Sequence, residues 1–350
     1  MSDFLAALGL RLPIIQAPMA GVSTPQLAAA VSNAGGLGSL GLGASTPQAA
    51  EQMLQQAMAL SAGPINANLF CHRPAHADAG KQAAWLARLA PQFARFGAEL
   101  PQRLDEIYAS YLKDAASHAM LLKLAPPVVS FHFGLPDAAR IADLKARGIT
   151  LLASVTCLAE AHQAVRAGMD AVIAQGWEAG GHRGCFDENA PDARLGTLVL
   201  TRLLVTALDV PVIAAGGIMD GAGIRAALEL GAVAAQLGTA FIACPESAAN
   251  PAYRAALASD AAQNTAMTRV ISGRPARCLA NDFTAWGEGV SDSDVPDYPI
   301  AYDAGKALNS AASAAGNSGF GAQWAGQGAP LSRALSVAEL MAALAAEIRG

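Results

Sequence analysis

The sequence has little that would suit a membrane, a secretory route or a nucleic acid. It contains no uninterrupted apolar run of about 18 residues, the length that a membrane-spanning helix needs. The segment MSDFLAALGLRLP lacks the basic residues that open a secretory signal. Only 15% of the 350 residues are charged and the formal net charge is −5, so no basic stripe is available to neutralise nucleic-acid phosphates.

Cysteine is scarce as well, and its placement excludes the usual cysteine frameworks. The five cysteines, at positions 71, 157, 185, 244 and 278, are odd in number and include no C-x-x-C pair. The fragments Cys71-His72 and His182 with Cys185 lack the second matched pair that a zinc site needs. We therefore expect a cytoplasmic protein with free thiols and no bound metal.

What the sequence does contain is a regular alternation of short apolar runs with longer stretches of helical periodicity, such as TPQLAAAVSNA and AGIRAALELGA. The alternation indicates right-handed βαβ units and a parallel sheet. The runs are apolar throughout, so both faces of each strand are covered. Eight such units predict an α/β protein with a (β/α)8 TIM barrel. The runs are 13–19, 36–42, 65–70, 128–133, 149–155, 171–175, 211–215 and 232–237.

Two parts of the chain exceed a minimal barrel. Residues 71–127, after the third strand, are too long for one crossover and contain two helical patterns, AAWLARLAPQFARF and RLDEIYASYLKD. They predict a helical insertion. The periodicity weakens after residue 263, and helices resume at 303–314 and 335–348. We therefore divide the chain into a barrel, 1–263, and a segment, 264–350, that caps the barrel mouth and its substrate pocket.

The stretch GLGSLG at 36–41 matches the dinucleotide pattern G-x-G-x-x-G, but its context does not fit. In that motif the glycines follow a strand, open a helix and precede an acid about 20 residues later. Here they follow a helical stretch, and residues 55–63 contain no acid. The segment is predicted to be the second barrel strand.

Polar side chains lie where the predicted strands end, the edge at which barrel enzymes carry their chemistry. A polar residue at the end of an apolar strand is costly without a partner, and several converging amides suit a flat heterocycle with many acceptors. AAGGIMDGAGIRAAL and QLGTAF add glycine-rich turns leading to helices, a pattern typical of phosphate sites. Together these features predict FMN. The residues concerned are Gln16, Met19, Asn68, His132, Gln175, Gly216, Gly217, Gln236, Gly238 and Thr239.

One histidine stands apart from the other five. In QGWEAGGHRG, residues 175–184, glycines place His182 on a flexible mount just past a strand. Glycine allows close backbone approach to a ligand, and imidazole titrates near physiological pH. His182 is therefore a candidate active-site residue.

At this point the motifs resemble a known family. QAPMAGVSTPQLAAAVSNAGGLGSL, NANLFCHRP, VSFHFG, AQGWEAGGHRG, PVIAAGGIMDGAGIRAALELGA and QLGTAFIACPES are similar to the nitronate monooxygenases, formerly called 2-nitropropane dioxygenases, and nearest to their class I branch. The resemblance covers 13–248 and returns at PDYPIAYDAGKAL and QWAGQG. It implies His182 as the catalytic residue, which acts as the base that removes the α-proton of a nitroalkane or as a hydrogen-bonding partner of a substrate that arrives as the nitronate. The implied substrate-pocket residues are His132, Tyr298, Tyr302 and Lys306. The implied FMN contacts are Pro18, Met19, Asn68, Gln175, Gly180, Gly216, Gly217, Gln236, Leu237, Gly238 and Thr239.

The resemblance also implies a reaction. A bound nitronate, or a nitroalkane that first loses its α-proton, gives one electron to FMN, and molecular oxygen completes oxidation to a carbonyl compound with nitrite or nitrate. The alternatives are an FMN-dependent reductase of quinones or enoyl thioesters that consumes NAD(P)H, and a non-catalytic flavin-binding protein. We expect no nucleic-acid or membrane partner and a monomer or homodimer. His132 could instead be buried against a backbone carbonyl, and Trp324 has only a packing rationale.

Overall fold

The structure is a computed structural model that describes residues 2–349. This part of the chain forms eleven strands, most of them short and buried. They are β1 (Ile14–Gln16), β2 (Gly38–Gly41), β3 (Ile65–Phe70), β4 (Val128–His132), β5 (Thr150–Val155), β6 (Ala171–Gln175), β7 (Gly181–His182), β8 (Val212–Ala215), β9 (Ala234–Leu237), β10 (Thr265–Thr268) and β11 (Ala276–Leu279).

Eight of these strands form a closed parallel barrel. They pair in the order β1-β9-β8-β6-β5-β4-β3-β2. A parallel bridge between Ile15 and Leu37 closes the ring, and the Leu37 N–H donates to the Ile14 carbonyl at 3.0 Å. β10, β11 and β7 form a separate three-stranded sheet. The prediction of a (β/α)8 barrel is confirmed.

Fourteen α-helices occur in residues 2–349, and none of them is long and apolar enough to cross a membrane. Several begin at threonine or aspartate side chains that accept a backbone N–H, as Thr24, Thr46 and Asp137 do. The helices are α1 (Asp3–Ala7), α2 (Pro25–Asn33), α3 (Pro47–Leu60), α4 (Ala79–Arg95), α5 (Ala115–Leu124), α6 (Ala138–Ala146), α7 (Leu158–Ala167), α8 (Thr197–Ala207), α9 (Gly221–Glu229), α10 (Thr239–Ile242), α11 (Pro251–Leu257), α12 (Asp282–Trp286), α13 (Ile300–Ala314) and α14 (Val337–Arg349).

The GLGSLG segment is a strand, as its context indicated. β2 passes so close to α2 that a Cβ on Gly38 would lie 1.9 Å from the Ala28 carbonyl oxygen. The glycine is therefore required for helix-on-strand packing, which explains the pattern without a dinucleotide.

The connection between β3 and β4 is only partly an insertion. α5 is the crossover helix, packed between α3 and α6, whereas α4 packs on α13. The helix expected at 103–114 is absent, because tertiary hydrogen bonds take the backbone groups that a helix would use. The Asp105 N–H donates to Asp303 Oδ2 at 2.9 Å, and the Tyr111 N–H donates to the Phe70 carbonyl at 2.9 Å.

The end of the tail differs from a simple cap. α14 packs against α2 and α9 on the outside of the barrel. Its buried residues Val337, Leu340 and Leu344 join the cluster that contains Leu27. α10, after β9, has only four residues, so α14 takes the place of the eighth barrel helix. The boundary at residue 263 remains a prediction.

Candidate active site

A cavity of about 620 Å³ lies at the carboxyl ends of the barrel strands. All eight barrel strands or the residues directly after them contribute to its wall. Tyr108 from the β3–β4 connection and Tyr298, Tyr302 and Trp324 from the tail complete it. Barrel enzymes place their reacting groups at this end, so the cavity is the candidate active site.

The structure brings together nearly all of the residues expected at the site. The exceptions are Leu237 and Gln16. Leu237 is 1% exposed and packs in the core with Ile14 and Leu27. Gln16 is fully buried and does not line the cavity; its Oε1 accepts from the Ser39 N–H at 2.8 Å and its Nε2 donates to Ser23 Oγ at 2.9 Å, so its amide is not available to a heterocycle. The residues that do line the cavity are Pro18, Met19, Asn68, His132, Gln175, Gly180, His182, Gly216, Gly217, Gln236, Gly238, Thr239, Tyr298, Tyr302 and Lys306.

The loop that carries His182 is held from several sides. β7 pairs antiparallel with β11, so the His182 backbone belongs to a ladder. The Gln175 amide spans the loop: its Nε2 donates to the His182 carbonyl at 3.0 Å, and its Oε1 accepts from the Gly184 N–H at 2.7 Å. Arg183 is 2% exposed and binds both oxygens of Asp192, at 2.7 and 3.0 Å. The mount is therefore fixed rather than flexible.

The His182 ring lies among aromatic side chains. Its Nε2 is 2.9 Å from Ser272 Oγ. Its ring centroid is 5.0 Å from that of Trp324, 5.3 Å from Tyr298 and 5.6 Å from Phe133. Three rings and one hydroxyl thus fix the imidazole against the cavity wall.

The surroundings keep the two cavity histidines neutral. Burial lowers the pKa of His182 well below its ordinary value, and the charge of the Arg274 guanidinium lowers it further. Burial also lowers the pKa of His132 to about 4, although the hydrogen bond from its ring to the His182 carbonyl raises this pKa in part. In that bond His132 Nε2 lies 3.2 Å from the His182 carbonyl oxygen. The backbone contact considered for His132 from the sequence is therefore present. His132 both lines the cavity and holds the loop of His182.

One end of the cavity combines hydroxyl groups with a cation. α13 carries Tyr302 and Lys306 one turn apart, on one face. Lys306 Nζ lies 4.8 Å from the ring centroid of Tyr108 and 5.4 Å from that of Tyr302. The buried Tyr298 hydroxyl has no partner within residues 2–349. Burial lowers the pKa of Lys306, so a bound anion would restore the stability of its charged form.

The other end presents backbone N–H groups. The N–H groups of Gly216, Gly217, Gly238 and Thr239 make no hydrogen bond to an acceptor among the described residues. Gly216 and Gly217 have φ of +127° and +69°, conformations that favour glycine.

The start of α9, expected to help hold a phosphate, is already occupied. The Gly223 N–H donates to Asp220 Oδ1 at 2.8 Å, and the Gly221 N–H donates to Glu347 Oε2 at 2.7 Å. The glycine turns themselves, by contrast, keep their N–H groups available to an anion.

The sequence model described as nitronate monooxygenase matches residues 2–347. The chain belongs to the nitronate monooxygenase family. It is accordingly an oxidoreductase of nitronates, and the family is a group of flavin-dependent enzymes.

Similar curated proteins carry the family name. A nitronate monooxygenase of Paraburkholderia phytofirmans is 58% identical over 345 residues, covering 99% of this chain and 94% of that protein. A nitronate monooxygenase of Pseudomonas aeruginosa is 54% identical over 353 residues, covering 100% of both.

Solved structures show the same fold. Nitroalkane oxidase from Streptomyces ansochromogenes matches with a TM-score of 0.89 at 39% identity, covering 99% of this chain and 98% of that one. FabK from Thermotoga maritima matches with a TM-score of 0.76 at 28% identity, covering 100% and 96%. Of these two structures, the nitroalkane oxidase is the more similar.

A nitronate monooxygenase needs a flavin, and this cavity fits one by its own geometry. Gln236 Oε1 is buried without a partner in residues 2–349 although its side chain lines the cavity. Asn68 Nδ2 is held by Ser130 Oγ at 2.9 Å, and its Oδ1 accepts no bond from the described residues. Free amide oxygens and free glycine N–H groups suit a heterocycle that carries a phosphate.

Several residues of this nitronate monooxygenase site were not found from the sequence. Tyr108 and Trp324 line the cavity but come from irregular segments, and Ser272 reaches His182 from the turn between β10 and β11. Strand ends can be located by apolar periodicity. No comparable local signal marks a side chain delivered by a turn or an irregular connection.

Proposed function

We propose that this chain uses FMN and molecular oxygen to oxidise alkyl nitronates of the propionate 3-nitronate type to carbonyl compounds with nitrite or nitrate. Two nitronate anions and one oxygen molecule contain the atoms and charge of two carbonyl compounds and two nitrite anions. The reaction therefore needs no nicotinamide. We further propose a cytoplasmic monomer or homodimer without a nucleic-acid partner.

The observation that supports this proposal is that one cavity has two ends of different chemistry. The Gly216–Gly217 and Gly238–Thr239 turns offer N–H donors without a fixed positive charge. Lys306 and the tyrosines offer a cation and hydroxyl groups. A phosphate-bearing cofactor and a small anionic substrate fit these two ends, with His182 in the wall that they share.

The chain's own residues bind and orient the substrate. When bound, FMN supplies the oxidising power. Lys306 attracts an anionic substrate, and the unpartnered Tyr298 hydroxyl donates to a nitro-group oxygen. His182 faces the α-carbon, where it accepts a proton from a neutral nitroalkane or stays neutral beside a nitronate. The rings of Tyr298, Trp324 and Phe133 exclude water, which strengthens these electrostatic contacts.

The low pKa of His182 favours the ionised substrate. A general base works best with a pKa near the working pH, whereas burial holds the pKa of His182 well below 6.5. A preformed nitronate has already lost the proton, so it avoids this demand. We expect the kcat/KM for propionate 3-nitronate to exceed that for 3-nitropropionate, whose nitroalkane group still carries its α-proton.

Two measurements on the purified yellow protein test the cofactor and the reaction. Heat release should give FMN, because the glycine turns form a cradle for one phosphate. An oxygen electrode should record uptake on addition of propionate 3-nitronate. Finding FAD or no flavin would contradict the cofactor, and absence of oxygen uptake with several alkyl nitronates would contradict the reaction.

The reductase alternative is tested by anaerobic mixing with NADH or NADPH. An oxidase of nitronates should keep its flavin oxidised under these conditions and lose the yellow absorbance only when nitronate is added. Rapid bleaching by either nicotinamide would favour the reductase.

A further inference from the structure

Ser272 is a buried residue that contacts the active-site imidazole from behind. It lies in the turn between β10 and β11, and its side chain is fully buried. The backbone of the turn is fixed, since the Ser272 and Gly273 N–H groups both donate to the Arg269 carbonyl, at 3.2 and 2.8 Å. A Cβ on Gly273 would lie 2.6 Å from the Pro296 carbonyl oxygen. The position of the serine is therefore set by its neighbours.

The Ser272 hydroxyl has two partners and one proton. Its Oγ is 2.9 Å from His182 Nε2 and 3.3 Å from the Arg274 carbonyl oxygen. If the proton pointed to Nε2, hydroxyl lone pairs would face the carbonyl in a buried site. If the hydroxyl donates to the carbonyl, Oγ can accept from an Nε2–H, and both contacts become hydrogen bonds.

The other nitrogen of His182 has a different environment. Nδ1 makes no hydrogen bond within residues 2–349. It retains accessible surface, whereas both ring nitrogens of His72 are fully buried without a partner among these residues. His182 lines the cavity. Nδ1 is therefore the ring nitrogen accessible to a ligand.

We infer that Ser272 is a positioning residue that holds neutral His182 in its Nε2–H tautomer and so presents an unprotonated Nδ1 to the cavity. The inference rests on the proposed function for its meaning, because it identifies which atom would accept the substrate proton. Which nitrogen of a neutral histidine carries the proton is set by the partner of the other nitrogen, and here that partner is a serine.

Nitrogen NMR of the histidine-labelled holoprotein tests the tautomer directly. The chain has six histidines, and the His182→Asn spectrum assigns the signals of His182. We expect a pyridine-type shift at Nδ1 and a protonated, pyrrole-type shift at Nε2. The reverse assignment would overturn the inference.

Three variants test whether Ser272 is the cause. Ser272→Ala should give averaged shifts from mixed tautomers, and Ser272→Thr, which keeps the hydroxyl, should restore the wild-type pattern. Ser32→Ala is the matched control: Ser32 is 3% exposed, its Oγ bonds the Pro64 carbonyl and the Gly38 N–H, and it lies outside the cavity. A single unchanged tautomer in Ser272→Ala would overturn the inference.

Kinetics supply a second readout. In Ser272→Ala, kcat for a neutral nitroalkane should fall about 2- to 10-fold, the equivalent of one neutral hydrogen bond, with KM unchanged and with recovery in Ser272→Thr. If Ser272→Ala does not fold, the spectra of the wild type and Ser272→Thr still decide the tautomer. The NMR result needs no turnover, so failure of the proposed reaction would leave it standing.

Discussion

At the scale of single residues, His182 combines a fixed position with an unfavourable charged state. Burial lowers the pKa of its imidazole, and the charge of Arg274, which is 1% exposed, lowers it further. An imidazolium in this position would face a buried guanidinium. A nitronate or another anion in the cavity would offset that repulsion, so substrate charge and His182 protonation are coupled.

The first prediction concerns the His182 side chain. His182→Asn should reduce kcat/KM for neutral nitroalkanes roughly 100- to 10,000-fold, the usual contribution of general-base catalysis. Oxidation of preformed nitronates should fall less, because only orientation is lost. Oxygen uptake with each substrate measures the two losses.

The control for this variant is His162→Asn, an exposed position on α7, which should leave both rates unchanged. Equal losses on both substrates with intact FMN content would make His182 a positioning residue and not a base. His132 would then be the next imidazole to replace.

The second prediction concerns Gly217. Gly217→Val should lower the FMN content, because an added Cβ would lie 3.2 Å from the Glu178 Cβ and a β-branched residue at a φ of +69° would displace the turn whose N–H groups are proposed to hold the phosphate. Gly148→Val is the control for the backbone strain that a positive φ imposes on valine. Gly148 has a φ of +73°, is exposed and has no atoms within 4 Å of an added Cβ.

Flavin absorbance per protein is measured for both variants after purification. Both should lose some stability through the shared backbone strain, but only Gly217→Val should lose flavin. Full FMN occupancy in Gly217→Val would show that the phosphate lies elsewhere.

The residues of the site were predictable to the extent that they follow strands. Asn68, His132, Gln175 and Gln236 could be placed because the apolar runs before them define where each strand ends. The pairing of Gln175 with Gly184, which uses its amide for the loop, depends on a fold that no local pattern encodes.

At the scale of elements, the barrel strands were predictable because each is a continuous apolar run covered on both faces. The segment 103–114 shows the limit of that reasoning. Leu104, Tyr108 and Tyr111 are buried at nearly helical spacing, yet the backbone bonds Asp303 and Phe70. Tertiary partners outweighed a weak local preference.

The position of α14 gives the third prediction. Leu344 is fully buried between α14 and the barrel helices, so Leu344→Ala should lower the free energy of unfolding by about 2–5 kcal/mol. Leu198→Ala, at a side chain 56% exposed on α8, should change it by less than about 0.5 kcal/mol. Urea unfolding measures both. Similar values for the two variants would show that α14 does not stabilise the barrel.

At the scale of the whole molecule, the neutral histidines link stability to pH. Burial lowers the pKa values of His72 and His132 to about 4, from an ordinary 6.5. Below pH 6.5 the unfolded chain binds protons that the folded chain does not bind until about pH 4. The stabilisation is therefore complete above pH 6.5 and is lost as pH falls from 6.5 towards 4.

His72 provides the test of this linkage, because it is 1% exposed and both ring nitrogens lack a partner among residues 2–349. The free energy of unfolding of the holoprotein should fall by on the order of 1 kcal/mol per pH unit and per histidine below pH 6.5. His72→Gln should make this dependence shallower, whereas His162→Gln, at an exposed position, should not. Urea midpoints between about pH 7.5 and 5 measure the slopes. Equal slopes in the wild type and His72→Gln would mean that His72 binds its proton as readily in the folded state as in the unfolded chain.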